Sequence, residues 1–258
     1  MKTVYGPVPS WRLLRSIGVD LISQENKVCP FDCTYCQLGK TKEKTIDRAV
    51  FVETGKIGCD LSPVLEKSNA NVDIVTFSGT GEPTLALNLG EAIDAVRGLT
   101  ALPIAILTNA SLMYLEEVRI SLAKFDRVVA KLDAPNEELF QKINRPASEL
   151  SYRKIVEGIK SFREIFNGKL ALQVMFMDDN MKYADDLARL ALKIGPDEVH
   201  INTPTRPCQV QPLNPAQIED ITKVFEERGL KTKSVYKKVG PVIEPVDMEE
   251  TLRRRPVI

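Results

Sequence analysis

The chemistry of this chain is concentrated in "KVCPFDCTYCQLGKT", residues 27–41, where Cys29, Cys33 and Cys36 fall in the spacing C-x3-C-x2-C. Thiolates are ligands for soft metals and iron–sulfur clusters. Four would saturate a structural zinc or a cubane cluster. Three leave one coordination position open, which is useful only if another molecule fills it. Pro30, Asp32, Thr34 and Gly39 make the segment polar and turn-rich, unlike a core segment that happens to hold cysteines. The other cysteines, Cys59 and Cys208, and the single histidine, His200, are each isolated. They could complete a zinc site only from a distance, and a zinc-binding or cluster-carrying structural module stays the competing reading of the loop. An odd total of five cysteines argues against a disulfide framework.

Further polar residues stand where short apolar runs end. "FSGTGEPTL", 77–85, places two glycines and Glu82 after an apolar run. Glycine there permits close backbone approach, although an ordinary Gly-rich turn with a helix-starting Glu would read the same way. "LTNA", 107–110, offers Asn109, either as a ligand or as a turn residue tolerant of left-handed backbone. "AKLDAP", 130–135, places Lys131 and Asp133 two apart, hence on one face of a strand. Charges in so apolar a setting need a partner: each other, or a ligand. Arg145 in "INRP" could bind a carboxylate or phosphate, or lie on a surface turn. His200 reads as a satisfied core residue, and Cys59 and Cys208 as inert thiols.

The elements that must position these residues follow from periodicity. Runs at 16–23, 72–83, 103–110, 126–134, 170–177 and 197–204 are mostly continuous in their apolar residues, as in strands buried on both faces of a parallel sheet. Between them lie helical patterns. In 152–166, Ile155, Val156, Ile159, Phe162, Ile165 and Phe166 follow the i, i+3, i+4, i+7 rule. Asn88 and Asn214 read as N-caps, with Pro215 in the first turn, while Gly195 and Gly229 read as helix stops. Strand–helix alternation implies right-handed crossovers and an α/β fold. About six units fit, so the expected architecture is a partial (β/α)6 barrel, a curved parallel sheet short of the eight strands of a closed one. Ligands then bind beyond the carboxyl ends of the strands, where every unusual loop lies. Residues 1–230 are expected to form this core. Residues 231–258, charged and punctuated by proline, read as an extension or the start of a small appended domain, with a weak strand, a linker and a short helix start.

Composition sets outer bounds. In 258 residues, 35 Lys and Arg balance 35 Asp and Glu, which gives no case for a general nucleic-acid binder. "MKTVYGPVPSWRLLRS" has no secretory h-region, and no apolar run reaches membrane-spanning length. A soluble, cytoplasmic protein with no membrane partner is expected.

With Tyr35 just before the last cysteine, the three-cysteine spacing resembles the signature of radical S-adenosylmethionine (radical SAM) enzymes. The resemblance implies a [4Fe–4S] cluster on Cys29, Cys33 and Cys36. S-adenosylmethionine would chelate the open iron through its amine and carboxylate. Reductive cleavage would then yield a 5′-deoxyadenosyl radical that abstracts hydrogen from substrate. Tyr35 would lie near the adenine or simply pack the loop. "GTGEP" is similar to the family's Gly-Gly-Glu-like turn with one extra residue. The backbone at Ser78, Gly79, Thr80 and Gly81 would orient the methionyl amine, and Glu82 would add negative charge. Asn109 sits in a T-N-G-like strand end, and Lys131 and Asp133 would hold the ribose or carboxylate of S-adenosylmethionine. A low-potential donor, ferredoxin or flavodoxin, is implied, with an oxygen-free setting. "YGPVPSWRLLRSIGVDLI", 5–22, resembles a segment of radical SAM oxidoreductases related to wybutosine-tRNA synthesis enzymes, with Trp11 and Leu14 where Arg and Gly are expected. Arg12 and Arg15 could there meet an anionic partner or face solvent. The substrate stays open among small molecule, peptide and tRNA.

Overall fold

The computed structural model describes residues 1–42, 44–68, 71–237 and 240–256. Its frame is one sheet of eight strands whose spatial order is the order of the chain. Strands β1 (Val4–Ser10) and β2 (Leu14–Val19) form an antiparallel hairpin. From β2 onward the pairing is parallel, through β3 (Ile74–Phe77), β4 (Ile104–Thr108), β5 (Arg127–Lys131), β6 (Lys169–Met175), β7 (Glu198–Asn202) and β8 (Thr232–Ser234). The outermost strands, β1 and β8, do not pair with each other, so the curled sheet is a half-barrel. The six expected strands are β2 to β7. β8 falls where a weak strand was expected and adds a seventh parallel strand to the same sheet.

Helices α1 (Thr54–Lys67), α2 (Leu89–Arg97), α3 (Glu116–Leu122), α5 (Tyr152–Ile165), α6 (Ala184–Ile194) and α7 (Pro215–Glu227) cover the outer face, and a short α4 (Glu137–Asn144) precedes α5. Apolar stripes make them do so. In α5, Ile155, Val156, Ile159 and Phe162 are buried, whereas Ile165 at the helix end is 48% exposed. α7 carries a full capping box, with Asn214 and Gln217 each satisfying the other's backbone N–H. α6 stops at Gly195 in left-handed backbone. Asn88 departs from expectation. Its amide donates to the Val52 carbonyl and Thr54 Oγ1, bracing the loop before α1 instead of capping α2.

Side chains alternate across the sheet, as strand geometry demands. In β3, Val75 and Phe77 join the core under the helices, where Phe77 meets Phe125 edge-on at 5.2 Å. Ile74 points to the concave side, where it packs with Leu13 and Ala105. Thr76 and Ser16, neighbours on that side, share a hydroxyl hydrogen bond of 2.6 Å. The turn between β1 and β2 crosses the concavity. Trp11 there meets the His200 ring of β7 at 5.7 Å, and the Arg12 guanidinium donates to Gln173 of β6. The last helix, α8 (Met248–Arg254), packs on β1 and buries Arg254 completely. Part of the expected extension is thus built into the same packed unit.

Candidate active site

The cysteine loop lies at the carboxyl ends of the strands and is tied to its surroundings by backbone. Val28 bridges Gly81 in parallel fashion, Cys29 bridges Lys44, and Phe31 bridges Pro146. The Asp32 amide donates to the Asn144 carbonyl and the Thr34 amide to the Ile143 carbonyl. Asp32 also turns the loop back on itself, its carboxylate accepting from the Thr41 amide at 2.6 Å with Lys27 at 3.6 Å. All three cysteines line one cavity of about 320 Å³, within the range of sites for small organic ligands. Among the described residues, no group of three or more His, Cys, Asp or Glu is arranged to hold a single metal ion.

Two amides address the sulfurs. Asn109 Nδ2 lies 3.3 Å from Cys29 Sγ, and Asn144 Nδ2 lies 3.5 Å from Cys33 Sγ. Such donors stabilise negative charge on sulfur. Burial pushes the Cys29 thiol well above its ordinary value and the Cys33 thiol up to about 11. Both are therefore protonated thiols until a cation compensates the charge.

The Gly-rich turn after β3 is shaped by two close approaches. A Cβ on Gly79 would stand 2.0 Å from the Asp20 carboxyl carbon, and one on Gly81 would stand 1.9 Å from the Val28 carbonyl oxygen. Only glycine fits either position. Asp20 accepts from the Thr80 amide and hydroxyl, each at 3.0 Å, and pairs with Arg254 at 2.9 Å. Glu82 is buried, and four donors converge on its carboxylate: the Thr84 amide and hydroxyl, the Thr108 hydroxyl and the Asn109 amide. Burial pushes its carboxyl up, and the four donors oppose the rise. The group links the end of β3 to the end of β4 and sets Asn109 beside Cys29.

Lys131 and Asp133 part company. Their expected common face assumed a strand reaching Asp133, but β5 ends at Lys131. Lys131 stays on the cavity wall, its ammonium 5.0 Å from the Tyr35 ring centroid. Asp133 does not line the cavity. It accepts from the Tyr35 hydroxyl, from Asn144 Nδ2 at 2.9 Å and from the Met175 amide at 2.9 Å. Neither the mutual ion pair nor an open carboxylate describes it; Asp133 is an anchor for the cysteine loop. Tyr35, itself in the lining, is held by that anchor, and burial keeps its phenol neutral.

Of the other expected residues, Ser78, Gly79, Gly81, Glu82 and Asn109 line the cavity, while the Thr80 side chain turns away to Asp20. Arg145, in left-handed backbone, lies outside the lining, as does Arg15, which pairs with Asp73. Cys59 is exposed on α1, and the Cys208 thiol donates to the Val210 carbonyl. His200 is buried behind Trp11, with Nε2 on Glu198 at 2.8 Å. Asp20, Asn144, Gln37 and Arg254 were not singled out by sequence. Arg12 and Arg206 also reach the cavity. Burial pushes both guanidiniums down to about 10, and like charges add to it: Arg206 and Arg255 for Arg12, Arg255 for Arg206.

A sequence profile described as the Radical SAM superfamily matches residues 26–191, from the cysteine loop to α6. The chain belongs to the radical SAM superfamily. Its fold is shared with solved structures. The structure of anSMEcpe with bound AdoMet matches with a TM-score of 0.64 at 17% identity, over 86% of this chain and 64% of that one. Archaeal TYW1 matches with a TM-score of 0.55 at 15% identity, over 83% and 72%. In sequence, a UPF0026 protein of Methanocaldococcus jannaschii is 37% identical over 230 residues, which is 87% of this chain and 70% of the relative. This radical SAM protein is thus an enzyme whose family uses S-adenosylmethionine and an iron–sulfur cluster. No helix among the described residues is long and apolar enough to cross a membrane.

Proposed function

We propose that Cys29, Cys33 and Cys36 hold a [4Fe–4S] cluster and that the adjoining cavity takes S-adenosylmethionine and an organic substrate. The observation that carries this reading is the lining of the cavity: three cysteines of one pinned loop beside a glycine turn, with no fourth cysteine and no histidine among the described residues that line it. A zinc ion with bonds near 2.3 Å needs its sulfurs about 3.8 Å apart. Among the described residues these cysteines are not arranged to hold a single ion, which suits a multi-iron cluster better. When bound, the pair would supply reductive cleavage of the sulfonium and a 5′-deoxyadenosyl radical able to abstract hydrogen from substrate. The protein's part is positioning and exclusion. Asn109 and Asn144 would donate to the ligating sulfurs. The backbone of Ser78 to Gly81 would meet the methionyl amine, with Glu82 behind it supplying negative charge. Lys131 would meet the carboxylate or ribose, and the Tyr35 ring would flank the adenine. Asp133, which holds Tyr35 and Asn144, would act through them.

A low-potential ferredoxin or flavodoxin would deliver the electron. Reconstitution without oxygen should give brown protein with about four irons, and addition of dithionite and S-adenosylmethionine should release 5′-deoxyadenosine. Alanine at any of the three cysteines should abolish both. Colourless, zinc-loaded protein, or a cluster with no cleavage, would instead make the loop a structural or electron-transfer module.

A further inference from the structure

The charge of the cavity is one-sided. Glu82 is the one carboxylate in its lining among the described residues, and internal donors already occupy it. Against it stand Arg12, Lys27, Lys131, Arg206, Arg254 and Arg255. Lys27 is paired with Asp32, and Arg254 with Asp20 and Glu250. Among the described residues, Arg12, Arg206 and Arg255 are held by neutral oxygens only: Gln173 Oε1, Gln37 Oε1 and the Pro9 carbonyl, respectively. Arg12 Nε is buried with no hydrogen-bond partner among the described residues. A fold does not gather three partly buried guanidiniums, each lowering the ease of charging the next, without something to offset the repulsion.

Arg12 and Arg255 stand away from the cysteines, and Arg206 meets the cysteine loop only through Gln37, beside Cys36. Arg12 lies in the β1–β2 turn against β6, Arg206 follows β7, and Arg255 follows α8 on the open edge of the sheet. The glycine turn, Asn109 and Lys131 stand instead at the ends of β3, β4 and β5. A cosubstrate bound between the cysteines and that turn leaves the arginine wall to a second molecule. A single carboxylate would neutralise one of the three charges; a phosphate monoester, near −2 at neutral pH, matches them better, and guanidinium forks fit its oxygens in pairs.

We propose that Arg12, Arg206 and Arg255 form the substrate-recognition wall of this enzyme and bind a phosphoryl group on its substrate. The proposal rests on the reading that this cavity is where S-adenosylmethionine and substrate meet. The test uses inorganic phosphate as probe, on the full chain both iron-free and reconstituted. Phosphate should raise the denaturation midpoint and bind by calorimetry, and sodium chloride at equal ionic strength, or acetate, should not. Arg206→Gln and Arg255→Gln should each weaken phosphate binding about tenfold or more, the low end for a charge-assisted hydrogen bond. Arg12→Gln should do the same, and the other two variants carry the test if it fails to fold. Arg97→Gln, outside the cavity, should change nothing. Iron content and S-adenosylmethionine affinity should stay as in the unaltered protein. Phosphate binding absent in the unaltered chain, or intact in the variants, would overturn the proposal. So would variants that lose S-adenosylmethionine affinity instead, since the arginines would then serve the cosubstrate. A chain that binds four irons and releases 5′-deoxyadenosine yet ignores phosphate refutes only the wall. One that binds phosphate but no cluster refutes only the cofactor assignment.

Discussion

Replacing Gly81 with alanine tests how the cysteine loop is held. The added Cβ would lie 1.9 Å from the Val28 carbonyl oxygen and 2.9 Å from its carbon, both backbone atoms that no rotamer change can move. Ordinary contacts of a Cβ begin at 3.4 Å, so Val28 must retreat by about 1.5 Å. Two backbone hydrogen bonds cross that junction, the Val28 amide to the Thr80 carbonyl at 3.2 Å and the Glu82 amide to the Val28 carbonyl at 3.1 Å. Losing both costs about 1–3 kcal/mol at ~0.5–1.5 kcal/mol each. The displaced residue adjoins Cys29, so the cost should appear in metal loading as well as in stability. Urea unfolding of the iron-free chain should show the stability loss, and anaerobic reconstitution should give substoichiometric iron. Gly58→Ala is the control: that glycine is helical, its nearest new contact would be 3.8 Å away, and the change should be neutral or stabilising by up to ~1 kcal/mol. A Gly81→Ala protein with unaltered unfolding and full iron would refute the view that this junction places the loop.

Arg254→Met should destabilise the chain by about 3–5 kcal/mol, the cost of leaving a buried ion without its partner, because Asp20 and Glu250 stay behind. Adding Asp20→Asn should recover part of that loss in the same unfolding assay. Glu82→Gln should cost about 1–3 kcal/mol, since its NH₂ must face at least one of four donors; undiminished stability would mean the carboxylate is not the tie between β3 and β4. Burial holds His200 down to about 4, below the ~6.5 of an unfolded chain, with Glu198 opposing and Arg12 and Lys233 assisting. As pH falls the unfolded chain takes the proton first, so stability is lost from about pH 6.5 downward, by ~2 kcal/mol between pH 7.5 and 5. His200→Gln should remove that part of the slope, and identical pH profiles for the two proteins would show that His200 does not titrate on unfolding.

What could be read from sequence was local. Strands β3 to β7 are continuous apolar runs ended by turn residues, and the loops that carry Cys29, Gly81 and Asn109 were placed at strand ends because the runs stop there. β1 was missed because "VYGPVPS" contains two prolines and a glycine, which in isolation argue against a strand. They are tolerated here because β1 lies at the sheet's edge. Lys131 and Asp133 were assigned to one face by strand alternation, a rule that lapses at Asp133 because the strand has already ended. The remaining site residues are joined across the chain. Asn144 reaches Cys33 from 111 positions away and Arg254 reaches Asp20 from 234. No periodicity or spacing encodes such contacts; they exist only once the sheet has curled.

The open edge of the half-barrel connects these distant contacts to the cavity. A closed barrel has no unpaired strand, but β1 leaves one flank of backbone without a partner strand. The C-terminal segment uses that flank. The Val246 amide donates to the Gly6 carbonyl at 2.9 Å, the Gly6 amide to Thr251 Oγ1 at 3.1 Å, and Arg255 to the Pro9 carbonyl at 3.0 Å. The contacts that satisfy the edge also bring Arg254 under the glycine turn, through Asp20, and Arg255 to the cavity wall. Gln37, next to Cys36, completes the circuit by donating to the Arg254 carbonyl and accepting from Arg206. Sheet edge, cysteine loop and cationic wall are therefore joined at the mouth of the barrel by named hydrogen bonds that bypass the sheet.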